Sequence, residues 1–394
     1  MNININNLNT YEKQLFNKAN EVIARLNDHQ FQGYIVGGSV RNILLGLPIN
    51  DIDITTDALP EDMLKIFEHT IPVGIEHGTI MIINEFPFEV TTFRTELGYS
   101  DHRRPDKVAF VKDLVEDLKR RDFTVNAMAL KGSTVIDYFD GIDDIQNKLI
   151  KAVGNPYERF QEDALRMLRA LRFMSQLDFE IERSTLHAIQ SNIETIQHVS
   201  IERIIVELKK LCQGTNFEKA ISLFFELGMN LYIPFFKEIE KSAFCKSNDF
   251  LIWIAKLCIN QPQLMNHLNA LKISNKEKKT IKSMIEINGL MHSNTDKRLI
   301  LFQYGIDLVM QYMQHFMANF EQNIESIQNL YEQLPIKNNK ALAVNGHDII
   351  ETLNMKSGPW LKTVIHQLTQ KVVTGELKND KNELLKWVKE HVKI

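Results

Sequence analysis

The sequence predicts an α/β head followed by an all-α remainder, on three observations. Up to about residue 150, short β-rich apolar runs alternate with helix-like segments. Beyond about Lys151, apolar residues recur at three- and four-residue spacing as far as the C-terminal region. A glycine pair, Gly37-Gly38, stands directly upstream of two aspartates spaced one residue apart, in "YIVGGSVRNILLGLPINDIDI".

In chain order, Tyr34–Val36 reads as a strand and Gly37-Gly38 as a tight turn. Ser39 is placed to cap a helix that Gly46 stops. "INDIDITT" alternates with period two, which sets Ile52 and Ile54 on one face and Asp51 and Asp53 on the other. "ALPEDMLKIF" predicts a helix with Pro60 in its first turn. "GTIMII" and "FEVTTF" predict a hairpin turning at "NEFP". The polar stretch Thr95–Val108, "TELGYSDHRRPDKV", lacks a period and reads as a mobile loop. After it, "RFQEDALRMLRALRFMSQL", "SIERIIVELKKL", "NFEKAISLFFEL" and "TVIHQLTQKVV" are amphipathic helices.

The 394 residues suffice for two or three domains, and no stretch approaches the roughly 20 apolar residues of a membrane span. The N-terminal segment has no signal-peptide pattern, and Cys212, Cys245 and Cys258 have no metal-like spacing, so a reduced cytoplasmic setting is expected. A net charge of −4 argues against indiscriminate nucleic-acid binding. Basic clusters nevertheless occur at Arg103-Arg104, Lys119-Arg120-Arg121, Arg166/Arg169/Arg172 and Lys276/Lys278/Lys279. Each is either a solvated helix face or part of a binding track, and only a shared location makes it the latter.

Two carboxylates at i and i+2 of a strand lie roughly 7 Å apart at the backbone and repel unless a cation compensates them. Oxygen-only ligands favour Mg²⁺, completed by water and substrate phosphate, and such ions serve in-line phosphoryl displacement. Gly37 and Gly38 would let backbone N–H groups approach a triphosphate at the start of a helix, with Arg41 adding a forked donor. Glu89 is a candidate third carboxylate from a neighbouring strand, or simply an exposed glutamate. Further on, Asp163 and Arg166 stand three apart on a helix, with Arg169 and Arg172 along the same ridge. The plain alternative there is a surface salt-bridge ladder.

Taken together, these segments resemble the bacterial class II CCA-adding enzymes, tRNA nucleotidyltransferases of the DNA polymerase beta-like superfamily. "GGSVRNILLG…NDIDITT", "DLKRRDFTVNAMAL", "YERFQEDALRMLRALRF", "SIERIIVELKKL" and "LAVNGHDII…GPW" carry the likeness in the right order across nearly the whole chain. The resemblance implies a polymerase beta-like palm with a mixed sheet at 1–150, a helical neck at 151–215, a body at 216–335 and a tail at 336–394. By it, Asp51 and Asp53 hold Mg²⁺, Gly38 and Arg41 bind the triphosphate, and Arg121 matches the nucleotide-contacting arginine of the second motif. Asp163, Arg166, Arg169 and Arg172 match the neck positions that contact ATP and CTP. One departure is visible: the family usually reads Arg-Asp where this chain has Arg41-Asn42.

The implied activity is template-independent addition of C, C and A to the 3′ end of tRNA. A poly(A) polymerase or a CC-only or A-only relative is the alternative within the family. The loop at Thr95–Val108 favours complete CCA addition by the same resemblance. Implied partners are the acceptor and T arms of tRNA and a second copy in a homodimer. Lys276, Lys278, Lys279, Lys337 and Lys340 are the candidate RNA contacts. A D-x-D glycosyltransferase has no place for the second and neck motifs. A decayed, merely tRNA-binding relative would not keep both aspartates. His347-Asp348 invites comparison with metal phosphohydrolases, but no upstream ligand pattern accompanies it.

Overall fold

The computed structural model describes residues 1–3, 5–97, 107–240, 247 and 249–392. It divides into two compact units, one of residues 1–242 with 267–272 and one of residues 243–266 with 273–394. No helix among the described residues is long and apolar enough to cross a membrane.

The first unit opens on the helix Thr10–Asp28, started by a capping box between Asn9 and Glu12. A seven-stranded sheet follows, in the spatial order Thr70–Gly74, Thr79–Asn84, Phe86–Thr92, Asp53–Thr56, Gly33–Val36, Met128–Lys131, Thr134–Asp137. Only Asp53–Thr56 and Phe86–Thr92 run parallel and the other neighbours are antiparallel, so the sheet is mixed, as expected. The hairpin at "NEFP" is tighter than the sequence indicates: Asn84 faces Phe86, and Glu85 alone turns the chain at φ 61°. Under the sheet, Tyr34, Val36, Phe93, Leu114, Leu118 and Ala129 form one buried cluster.

The segment expected to be a loop begins and ends in strands, because Arg94–Leu97 pairs antiparallel with Lys107–Phe110. Its middle, 98–106 with Arg103 and Arg104, lies outside the described residues. Of the cysteines, Cys212 and Cys258 are buried thiols, and Cys245 also lies outside them.

The helical part of this unit packs Leu165–Leu177 against Ile201–Cys212 and Phe217–Glu226. The contact is closest at Gly214, where a Cβ would fall 2.1 Å from Ser175 Oγ and 2.4 Å from its backbone. Ser175 Oγ also donates to Leu211 O at 2.7 Å, so the turn is pinned on both sides. Gly214→Ala is therefore expected to destabilise the protein by about 1–3 kcal/mol, read as a lowered urea midpoint. The second unit is helical, from Phe250–Asn260 to Lys381–His391, around a core that includes Ile300, Leu301, Tyr312, Ile349, Leu368 and Leu384.

Candidate active site

The strand Gly33–Val36 is buried throughout and delivers the chain to Gly37, whose φ of 75° suits glycine. A Cβ there would lie 3.1 Å from Arg121 Nη1 and 3.8 Å from Asp53 Oδ2, so the turn approaches both groups closely. The helix Gly38–Leu45 follows, and Gly46 ends it in the left-handed conformation at φ 66°. Ser39 does not cap it. Its hydroxyl donates back to Val36 O at 3.1 Å, and Gly37 takes the cap position.

The period-two reading of "INDIDITT" holds for burial: Ile52 and Ile54 are inside, while Asp51 and Asp53 open to solvent. The strand itself starts only at Asp53, which faces Val36 on one side and Glu89 on the other. Although Asp53 keeps exposed surface on the cleft, the protein packed around its carboxyl strips enough water to push it up to about 6; Asp51 and Glu89 add to this, and Arg121 opposes.

Asp51 and Asp53 stand in a cleft of about 700 Å³. Gly38, Arg41, Arg121, Asp163, Arg166, Arg169 and Arg172 line the same cleft, so these candidates from three separate motifs meet in one place. Glu89 is Asp53's register partner but is not among the lining residues. Among the described residues no group of three or more metal-capable side chains occurs. Eight arginines and four aspartates line the cleft, a local positive excess in a chain of net charge −4.

The neck segment departs from the single helix expected. Pro156–Glu162 ends at Asp163, which is extended (φ −141°, ψ 101°), and a second helix runs Leu165–Leu177. Asp163 and Arg166 are therefore not neighbours on one helical face. Asp163 Oδ1 accepts from the Leu165 N–H at 3.1 Å, and Oδ2 accepts from Arg203 at 2.7 Å. Arg166 donates to Glu162 at 2.7 Å and to the carbonyls of Arg159 and Arg120 at 3.2 and 2.8 Å.

Nor is this a surface ladder, because Arg166 and Arg172 are only 8 % and 7 % exposed. Arg169 donates to Asp122 at 2.7 Å and lies 3.5 Å from Glu207, which reaches Arg172 at 3.2 Å. Arg172, Arg41 and Arg169 stand over the Phe173 ring, 4.0, 5.1 and 5.6 Å from its centroid. Burial draws Arg41 and Arg172 down to about 10, so both remain cations at neutral pH. Buried N–H donors on Arg121, Arg172 and Arg203 meet no acceptor within the protein. Such orphans are costly, and the three arginines that carry them all line the cleft.

Burial acts to raise the Asp122 carboxyl, but Arg169, Asn126 and Arg166 outweigh it and hold it well below the ordinary carboxylate range. A depressed folded-state value means stabilisation that is full above pH ~4 and lost as pH falls below it. The stability gap between wild type and Asp122→Asn, measured by urea denaturation, is thus expected to narrow as pH drops from 5 toward 3 (roughly the carboxylate range).

Several contributors went unrecognised in the sequence. Asp122 and Asn126 lie within "DLKRRDFTVNAMAL", and Arg203 and Glu207 within "SIERIIVELKKL". The i, i+4 spacing of the latter pair was the one local signal available. The five lysines all belong to the second unit: Lys276, Lys278 and Lys279 on the helix Asn275–Met291, Lys337 paired with Glu332 at 2.7 Å, and Lys340 in a short 3-10 turn. Asp348 has a structural part, accepting from the N–H of the N-cap Asn345 at 2.9 Å to close the capping box and receiving Lys381 at 2.6 Å, while His347 is exposed.

Known proteins resemble this chain along its whole length. The family described as "Poly A polymerase head domain" matches residues 33–151. "Probable RNA and SrmB- binding site of polymerase A" matches 178–241, and "tRNA nucleotidyltransferase domain 2 putative" matches 247–388. A CCA-adding enzyme of Staphylococcus haemolyticus is 44% identical over 97% of this chain and 99% of its own length. That of Staphylococcus epidermidis is 42% identical over 97% and 99%. The crystal structure of the Bacillus stearothermophilus CCA-adding enzyme in complex with CTP superposes with a TM-score of 0.86 at 36% identity, covering 95% of this chain and 97% of that one. The Thermotoga maritima CCA-adding enzyme complexed with tRNA shares the fold at a TM-score of 0.63 and 17% identity, over 99% and 97%. The chain belongs to the bacterial class II CCA-adding enzymes, a family of tRNA nucleotidyltransferases.

Proposed function

We propose that this protein adds C, C and A in turn to the 3′ end of tRNA from CTP and ATP, releasing pyrophosphate. The observation that carries the reading is the single cleft in which an aspartate pair, a glycine turn and buried arginines with unpaired N–H groups converge. Full-length similarity to CCA-adding enzymes favours it over a poly(A) polymerase sharing only the head.

The family implies a divalent metal, and Mg²⁺ fits the donor set best: two carboxylate ligands, with room for water and phosphate oxygens. Burial first, and the neighbouring carboxylates of Asp51 and Glu89 after it, raise the Asp53 carboxyl, and a bound cation would offset both. Asp51 and Asp53 would hold the metal, which when bound supplies Lewis acidity at the reacting phosphate. Glu89, beside Asp53 in register, would add to the negative field there.

The first N–H groups of the helix Gly38–Leu45, with Gly38, Arg41 and Arg121, would bind the triphosphate and stabilise the charge that develops as pyrophosphate leaves. Arg169 and Arg172, stacked on Phe173, would position the nucleoside and exclude water.

Base choice would rest on Asp163 and Arg166. Cytosine and adenine share an exocyclic amine donor beside an unprotonated ring nitrogen, whereas uracil and guanine reverse that pattern. Two of the roughly four lone-pair sites of Asp163 are occupied, leaving acceptor capacity for the amine. Arg166 uses three of its five N–H groups, leaving donors for the ring nitrogen.

The helical remainder, in the expected neck, body and tail, would hold the acceptor and T arms by backbone and shape. Lys276, Lys278, Lys279, Lys337 and Lys340 would be phosphate contacts there. A cytoplasmic homodimer completes the reading. The test is extension of tRNA ending at the discriminator base, at C or at CC, offered one nucleotide at a time. CTP incorporation into the first two and ATP into the third is expected. Repeated ATP addition, or arrest after CC, would overturn it.

A further inference from the structure

Arg41 is buried at the foot of the cleft, and its guanidinium is held from two sides. Nη1 donates to Asn126 Oδ1, while Nε and Nη2 both donate to Asn42 Oδ1, at 3.2 and 2.9 Å. Asn42 is itself fixed, because its Nδ2 donates to Pro48 O at 2.9 Å. Only an amide can do both: a carboxylate at 42 would accept from Arg41 but set oxygen against the Pro48 carbonyl. These bonds take three of the five guanidinium N–H groups, and Nη2 lies beside Gly38, 3.5 Å from where its Cβ would be. A neutral acceptor so close to Arg41 orients the fork and leaves its charge for whatever enters the cleft. A carboxylate in that place would form an ion pair and spend that charge internally.

We propose that Asn42 is a positioning residue, an uncharged clamp that aims Arg41 at the phosphates without neutralising it, and so sets affinity for the pyrophosphate moiety that substrate and product share. The inference rests on the function proposed above, and its test separates the two. Asn42→Asp keeps an acceptor but adds a charge, and Asn42→Ala removes the acceptor. KM for CTP and ATP and inhibition by inorganic pyrophosphate are measured for both variants and the wild type, with pyrophosphate binding followed by calorimetry. Asn42→Asp is expected to weaken CTP, ATP and pyrophosphate together by about fivefold or more, and Asn42→Ala by roughly threefold, the low end of one net hydrogen bond, because Arg41 loses its clamp but keeps its own contact to the ligand. In each, KM should rise by a larger factor than kcat falls, and the preference for C and A over U and G should stay as in wild type.

Unchanged pyrophosphate affinity in Asn42→Asp, an effect confined to one nucleotide, or a loss of thermal stability alone would overturn the clamp. Failure of the wild type to extend tRNA would instead overturn the proposed function, and the calorimetric comparison would still decide the clamp.

Discussion

Asp51→Ala and Asp53→Ala are each expected to lower nucleotide incorporation by about a thousandfold or more, with tRNA binding retained. The two side chains are the acidic members of the cleft beside the Gly37-Gly38 turn, and Asp53 is wedged between Val36 and Glu89 in the sheet. On the proposed metal binding, removing one carboxylate would leave a divalent ion with a single protein ligand and an electropositive wall behind it. The fold should survive, because both side chains open to the cleft rather than the core. Single-turnover extension with saturating CTP, set beside a tRNA binding isotherm, measures both quantities. Wild-type rates in either variant would mean the aspartates do not hold the metal and that another site performs the chemistry.

Asp163→Ala should relax the choice of nucleotide more than it weakens binding of the triphosphate. An aspartate facing the amine of cytosine or adenine meets a carbonyl oxygen in uracil or guanine, and such a mismatch costs about 1–3 kcal/mol, roughly a five- to 150-fold preference. Asp163→Asn is the informative companion, because an amide can present N–H to a carbonyl and so should tolerate uracil best. Arg203 donates to Asp163 Oδ2 and loses this partner in the alanine variant, so some loss of rate with every nucleotide accompanies the change. Incorporation of CTP, ATP, UTP and GTP, each offered alone, separates the effects. An equal fall for all four would show that Asp163 holds the helix start at Leu165 and Arg203 and reads no base.

The expected elements survive where local physics is decisive. Period-two alternation put Ile52 and Ile54 inside because a strand has two faces and one of them is buried. Gly46 ends its helix because the left-handed conformation there suits a residue without Cβ. The break at Asp163 escaped notice because helical periodicity continues on both sides of it. An aspartate in mid-helix also reads as an ordinary polar residue until its carboxylate is seen accepting from Leu165 N–H. The ribbon formed by Arg94–Leu97 and Lys107–Phe110 escaped for a related reason, since each strand has only four residues and carries little pattern.

By itself, then, the order of residues along the chain determined the α/β head, the helical remainder and which acidic and basic groups are available for phosphate and metal chemistry. It could do so because turns, caps and periodicity act over a few neighbours. Who pairs with whom was decided only in three dimensions. Asp53 beside Glu89, Arg169 on Asp122, Arg203 on Asp163 and Glu207 between two arginines all join residues 35 to 47 positions apart. Buried charges must find partners wherever folding places them, and no local rule names a partner that far along the chain.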